Sequence, residues 1–167
     1  MKRLLEYLEN TAFFKKLNAL LENDKLEISD SNEALNVLLI DYIFQKSDRS
    51  VLVVNHNLYH AQKTYDDLSR MSATPLFFPQ DEFLTTDMLA MSEDLKFERL
   101  NSIRTLLKGK RELVVTHPTG LLKYLPPKAS FKAAEKTYGK GDEIDPEDLL
   151  DALTAMGYTR TPEVEKV

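Results

Sequence analysis

Apolar residues recur at helical intervals from the first turn of the chain: Leu4, Leu5, Leu8, Phe13, Leu17, Leu20 and Leu21. The polar pair Asn10-Thr11 breaks the run and offers a fresh N-cap, so two amphipathic helices are predicted. A β-prone segment (Lys25–Ser29) then turns through Asp30, Ser31, Asn32 and Glu33 into Ala34–Phe44, which is apolar except for Asn36 and Asp41. A helix that is hydrophobic nearly all round is buried on more than one side. Val51-Leu52-Val53-Val54 is a β-branched run of the kind found in buried parallel strands. A helix over 57–70 follows, with Leu58, Ala61, Tyr65 and Leu68 on one face, and then the short strand Leu76-Phe77-Phe78, stopped by Pro79. Residues 80–91 have no clear period. Ser92 is placed to cap a long helix with Glu93 and Asp94 in its first turn and Leu95, Leu100, Ile103, Leu106 and Leu107 along it. Gly109 ends that helix, and Leu113-Val114-Val115-Thr116 forms another strand.

Strands alternating with helices predict an α/β fold, a parallel sheet with helices on both faces. The alternation stops at Pro126-Pro127, which divides the chain into a domain at 1–127 and the first part of a smaller α+β domain at 128–167. Beyond the prolines the pattern predicts a strand over Phe131–Tyr138, a turn at Gly139-Lys140-Gly141, and a helix with Asp145 as N-cap, Pro146 at N1, Glu147 and Asp148 in the first turn and Gly157 at C′. Tyr158–Val167 has the texture of a further strand left incomplete, so the chain is expected to be the leading part of a longer protein.

Composition narrows the function classes. Forty-three per cent apolar and 29% charged residues suffice for a real core and exclude wholesale disorder. A net charge of −5 argues against autonomous binding to DNA, which depends on neutralising phosphates with Lys and Arg. With no cysteine there is no disulfide, thiolate metal site or Cys nucleophile. Met1-Lys2-Arg3 resembles the start of a signal peptide, but Glu6 and Glu9 interrupt the apolar run, and no stretch is long enough to span a bilayer. The expectation is a soluble, cytoplasmic protein with no membrane partner.

The turn at 29–34 stands where a nucleotide-binding domain would carry its phosphate cradle. A cradle needs glycines so that backbone N–H groups close on an anion, a Lys for the β/γ phosphates and a Ser or Thr for magnesium. Here it reads Ser29, Asp30, Ser31, Asn32, Glu33, Ala34, and no glycine occurs before Gly109. Glu33 stands at the Lys position and Ala34 at the hydroxyl position. A carboxylate there turns attraction into repulsion, on the order of 1–4 kcal/mol per unit-charge pair at 4 Å. The expectation is a degenerate phosphate loop, with no cofactor and no metal.

Other candidates have plainer explanations. His56 and His60 are four apart, but Asn57 occupies the Glu position of H-E-x-x-H and no third ligand is evident, so His56 and Asn57 are expected to organise a strand-to-helix turn. Of the acidic pairs, Glu93-Asp94 and Glu147-Asp148 suit helix N-termini, whereas Asp66-Asp67 and Asp81-Glu82 suit solvated surface. Lys108-Gly109-Lys110-Arg111 is the best basic cluster. Without interleaved aromatics it reads as a helix C-terminus complementing the dipole rather than a phosphate-backbone contact. No G-x-S-x-G or G-x-G-x-x-G motif is present, and no residue carries a catalytic assignment.

Four strings carry a resemblance. VLVVNHNLYHAQKTYDDL (51–68) resembles a strand-and-helix signature of the bacterial transcription-repair coupling factors (Mfd). FPQDEFLTTDMLAMSEDLKFERLNSIRTLL (78–107), with Ser92, Leu95 and Arg99 at the family's spacing, ELVVTHPTGLLKYLPP (112–127) and GDEIDPEDLLDALTAMGY (141–158) follow in the family's order. The likeness covers nearly the whole chain and is weakest over 1–24. It implies a RecA-like domain similar to that of the damage-recognition protein UvrB, with the P-loop lost, and the start of an inserted domain that docks UvrA. It places most of that docking surface beyond Val167. It also implies a parent protein with an ATP- and magnesium-dependent DNA translocase motor and an RNA-polymerase-binding module in later domains, so that the fragment itself is not catalytic.

Two other function classes stand beside this one: a nucleotide-binding α/β enzyme domain with an atypical glycine-free loop, and an unrelated α/β protein-interaction domain. Saturable binding of ATP with magnesium would favour the first of these, and the downstream gene sequence separates the second from a coupling factor.

Overall fold

The structure, a computed structural model, describes residues 7–21, 27–29, 31–71, 74–80 and 93–160. The chain divides into two compact units, Met1–Tyr124 and Leu125–Val167.

The first unit is built on three parallel strands, β1 (Val51–Val54), β2 (Leu76–Phe78) and β3 (Leu113–Thr116), in the order β1-β3-β2. Val51 pairs with Leu113 and Val54 with Thr116, while Leu76 and Phe78 pair with Val114 and Thr116. Around the strands run the helices α1 (Ala12–Leu20), α2 (Glu33–Lys46), α3 (Leu58–Ser69), α4 (Glu93–Leu106) and α5 (Pro118–Leu122). The central strand β3 is buried throughout, as its four apolar and β-branched residues dictate.

Side chains alternate across a strand, and the core follows that alternation. Leu113, Val115 and Phe77 form one cluster with Val51, Val53, Val37 and Ile40 of α2, and Ala61 and Leu68 of α3. The opposite face is covered over β2 and β3 but not over β1. Leu52 and Val54 remain 55% and 48% exposed. The strand at 51–54, expected to be buried, is therefore partly covered on one face only, because covering a sheet's second face requires an element that the sequence of one strand does not specify.

The near-continuous hydrophobicity of α2 is explained by its position. Val37, Ile40 and Phe44 pack toward the sheet. Leu39 and Tyr42 form a second cluster with Phe14 and Leu17 of α1. Phe14 meets Tyr42 edge-on at 4.8 Å, and the Tyr42 hydroxyl donates to Asn18 Oδ1 at 2.8 Å. Thr11 caps α1, its hydroxyl accepting from Phe14 N, as the polar break predicts. Of the expected strand at 25–29, residues 27–29 are irregular and the remainder lies outside the described residues.

Helix α4 corrects a second expectation. Of the apolar residues along it, Leu95 packs against the core, yet Leu100 and Leu106 are exposed while Arg99 and Ser102 are buried. Ser102 Oγ donates to Phe77 O. Arg99, 8% exposed, lays its guanidinium on the Phe78 ring at 4.0 Å and donates through Nη1 to Pro79 O and Gly120 O, each at 3.0 Å. Burial lowers its pKa from the usual value. The expected cap Ser92 and the acidic pair Asp81-Glu82 lie outside the described residues.

In the second unit, α6 (Lys128–Ala134) occupies part of the stretch expected to be a strand at Phe131–Tyr138. Lys-Ala-Ser-Phe-Lys-Ala-Ala is rich in strong helix formers, and a helix closes its own hydrogen bonds where a strand needs a neighbour. Helix α7 (Pro146–Ala155) is capped as expected: Asp145 Oδ1 accepts from Glu147 N at 2.8 Å, and Gly157 turns the chain at φ 88°. Residues 158–160 are irregular, and the rest of the expected final strand lies outside the described residues.

Candidate functional site

At the C-terminal end of β1 the chain opens a crevice of about 500 Å³ between α2 and α3. Ligands of open α/β sheets gather at this end of the strands. Its rim contains the turn singled out in the sequence. Asn32 is the N-cap of α2, its Oδ1 accepting from Leu35 N at 2.8 Å. Glu33 opens the helix, Ser29 and Ser31 flank it in irregular backbone, Ala34 is exposed, and Asp30 lies outside the described residues.

Glu33 is engaged by Lys63 of α3 in an ion pair across the mouth of the crevice. The hydrogen bond from Lys63 and its charge hold the Glu33 carboxyl below the usual carboxylate range, and Glu33 in turn raises Lys63. An incoming phosphate would meet the Glu33 carboxylate and a Lys already neutralised, with the first N–H groups of α2 partly claimed by Asn32. Coulomb's law makes this a poor anion site.

Deeper in, Asn55 follows β1 directly. Its backbone N–H donates to Thr116 O at 2.9 Å, and its Oδ1 accepts from Thr64 Oγ1 at 3.1 Å. His56 and His60 both line the crevice, with ring centroids 3.9 Å apart. Asn57 caps α3 by accepting from His60 N at 2.9 Å, and its Oδ1 also lies 2.8 Å from His60 Nδ1, fixing that ring. For Asn57 this is the turn-organising role expected from the sequence. No group of three metal-ligating side chains occurs among the described residues.

The basic cluster does something its local sequence does not specify. Gly109 ends the α4 segment at φ 69°, but Arg111 serves another helix. It donates to Ser47 O at 2.8 Å and Phe44 O at 2.9 Å and stacks on the Phe44 ring at 4.1 Å, closing the C-terminus of α2. Lys63, Asn55 and Thr64 were not singled out in the sequence. A lone polar residue after a strand, or a Lys on a helix, carries no local signal of what it faces.

No family model matches the chain, and no solved structure matches it. Curated proteins do. A transcription-repair-coupling factor of Bacillus subtilis is 29% identical over 118 residues, 70% of this chain and 10% of its own length. One from Staphylococcus aureus (strain USA300) is 27% identical over 156 residues, 92% of this chain and 13% of its own. One from Staphylococcus haemolyticus is 24% identical over 97% of this chain and 14% of its own length. The chain is similar to transcription-repair coupling factors over most of its length. It spans about a tenth to a seventh of the length of those proteins. No helix among the described residues is long and apolar enough to cross a membrane.

Proposed function

We propose that this chain is the N-terminal scaffold and partner-recruiting part of a transcription-repair coupling factor. The observation that carries the proposal is the likeness to such factors over 92–97% of the chain, which is too extended for a single shared motif. In this view the first unit is a RecA-like, UvrB-type domain that has kept its shape and given up its phosphate site. The acidic, self-paired mouth of the crevice supports that loss. The second unit is the start of the inserted domain that docks UvrA. The parent protein is an ATP-driven DNA translocase that displaces stalled RNA polymerase in the cytoplasm. ATP, magnesium, DNA and RNA polymerase are handled by its other domains, and residues 1–167 hydrolyse nothing.

Capture of UvrA tests this. Immobilised residues 1–167 should retain UvrA weakly, and a longer chain carrying the whole second unit should retain it strongly. Absence of capture by the longer chain would overturn the recruiting role.

A further inference from the structure

The crevice holds a group that a scaffold role leaves unexplained. Asn55 Nδ2 is buried without a hydrogen-bond partner, although Thr64 satisfies the other end of the same amide. Turning the amide end for end would only exchange which atom is orphaned. A buried polar group left unpaired costs about 1–3 kcal/mol, so folds retain few of them. The terminal torsion of an Asn side chain is soft.

The rest of the lining says what that partner is. Ile40 and Ile43 of α2 present an apolar wall. The His60 ring, pinned by Asn57 and packed against the His56 ring with centroids 3.9 Å apart, belongs to a flat polar one. Glu33 and Asp67 outnumber Lys63, and Lys63 is already paired with Glu33, so the lining favours no negative charge. The volume lies in the range of small-molecule sites, about 300–1,000 Å³.

We propose that the crevice binds an uncharged, flat heterocycle of nucleobase or nucleoside size. Asn55 pairs with its hydrogen-bonding edge, as Asn amides do with base edges. The His60 ring lies on its face, and Ile40 and Ile43 pack on its apolar side. Phosphorylated forms of the same ligand are excluded by Glu33. This is independent of UvrA recruitment, and either can fail without the other.

The test is titration of residues 1–167 with adenosine, guanosine, cytidine and uridine, followed by calorimetry and by two-dimensional NMR. At least one nucleoside should saturate with a dissociation constant below about 1 mM. It should shift the Asn55 side-chain amide and His60 resonances. The corresponding monophosphate and triphosphate should bind successively more weakly, and Glu33→Lys should narrow that gap. Asn55→Ala should weaken nucleoside binding by about five- to tenfold, the loss of one neutral hydrogen bond. The NMR map on the unaltered chain keeps the proposal testable if that variant does not fold. Lack of saturation by every nucleoside, shifts confined to residues outside the crevice, or tighter binding of the triphosphate would each overturn it.

Discussion

Arg99 shows how far a single side chain can depart from what its position suggests. It sits in a helix whose leucines look like the core face, yet it is the arginine that goes inside. There it joins the end of β2 to α5 by donating to Pro79 O and Gly120 O while covering Phe78. The planar, weakly hydrated guanidinium makes this tolerable where an ammonium would not. Arg99→Met should fill much of the space but strand two buried carbonyls, lowering stability by about 2–4 kcal/mol in urea denaturation. A loss under about 1 kcal/mol would mean that those carbonyls find other donors. At the rim of the crevice, Glu33 and Lys63 set a pH dependence of known sign. The folded pKa of Glu33 is depressed, so its contribution is present above the ordinary carboxylate range and lost as pH falls through the lowered value. That of Lys63 is raised, so its contribution is present below the ordinary Lys range and lost as pH rises through the raised value. The pair therefore persists across neutral pH. An NMR titration should find Glu33 below the usual Glu value of about 4.3, and Lys63→Met should return it there. No movement on substitution would exclude the pair as the cause. Both groups are exposed, and salt should weaken the effect.

Elements were legible in the sequence wherever local chemistry suffices to define them. Thr11, Asn57 and Asp145 each cap the helix their position announces, because a cap needs only a side-chain acceptor and the next few N–H groups. Gly109 and Gly157 end or follow helices with positive φ for an equally local reason. Two elements were not legible. Residues 131–134 lie in α6 where a strand over Phe131–Tyr138 was expected, and β1 is half exposed where its composition suggested burial. Strand identity and burial depend on neighbours supplied from elsewhere in the chain. The turn from β3 into α5 is tight. A Cβ on Gly120 would come 2.5 Å from Thr116 Oγ1 and 3.0 Å from Phe78 O. The backbone oxygen cannot step aside without disturbing β2, so Gly120→Ala should destabilise by about 1–3 kcal/mol in thermal or urea unfolding. An unchanged midpoint would show that the junction yields.

At the scale of the whole molecule, the expectation is a chain that recruits rather than reacts. Calorimetric titration with ATP and magnesium should give no saturable heat in the micromolar range. A saturable signal would restore the alternative of a nucleotide-dependent enzyme with a glycine-free loop. By itself, the sequence determined the alternation of strands and helices, the parallel α/β class, the caps and breaks, and the likeness to transcription-repair coupling factors. Each of these rests on residue spacing or on strings that survive in linear order. Only the tertiary structure decided which polar residues meet. Glu33 finds Lys63 thirty residues on, Arg111 finds the end of α2, Arg99 enters the core, and the Asn55 amide is left half satisfied at the foot of a crevice. Local conformation follows from interactions a few residues long, and these pairings do not. They arise when sheet and helices bring distant positions within hydrogen-bond reach, where the strength of each contact depends on burial that no stretch of sequence encodes alone.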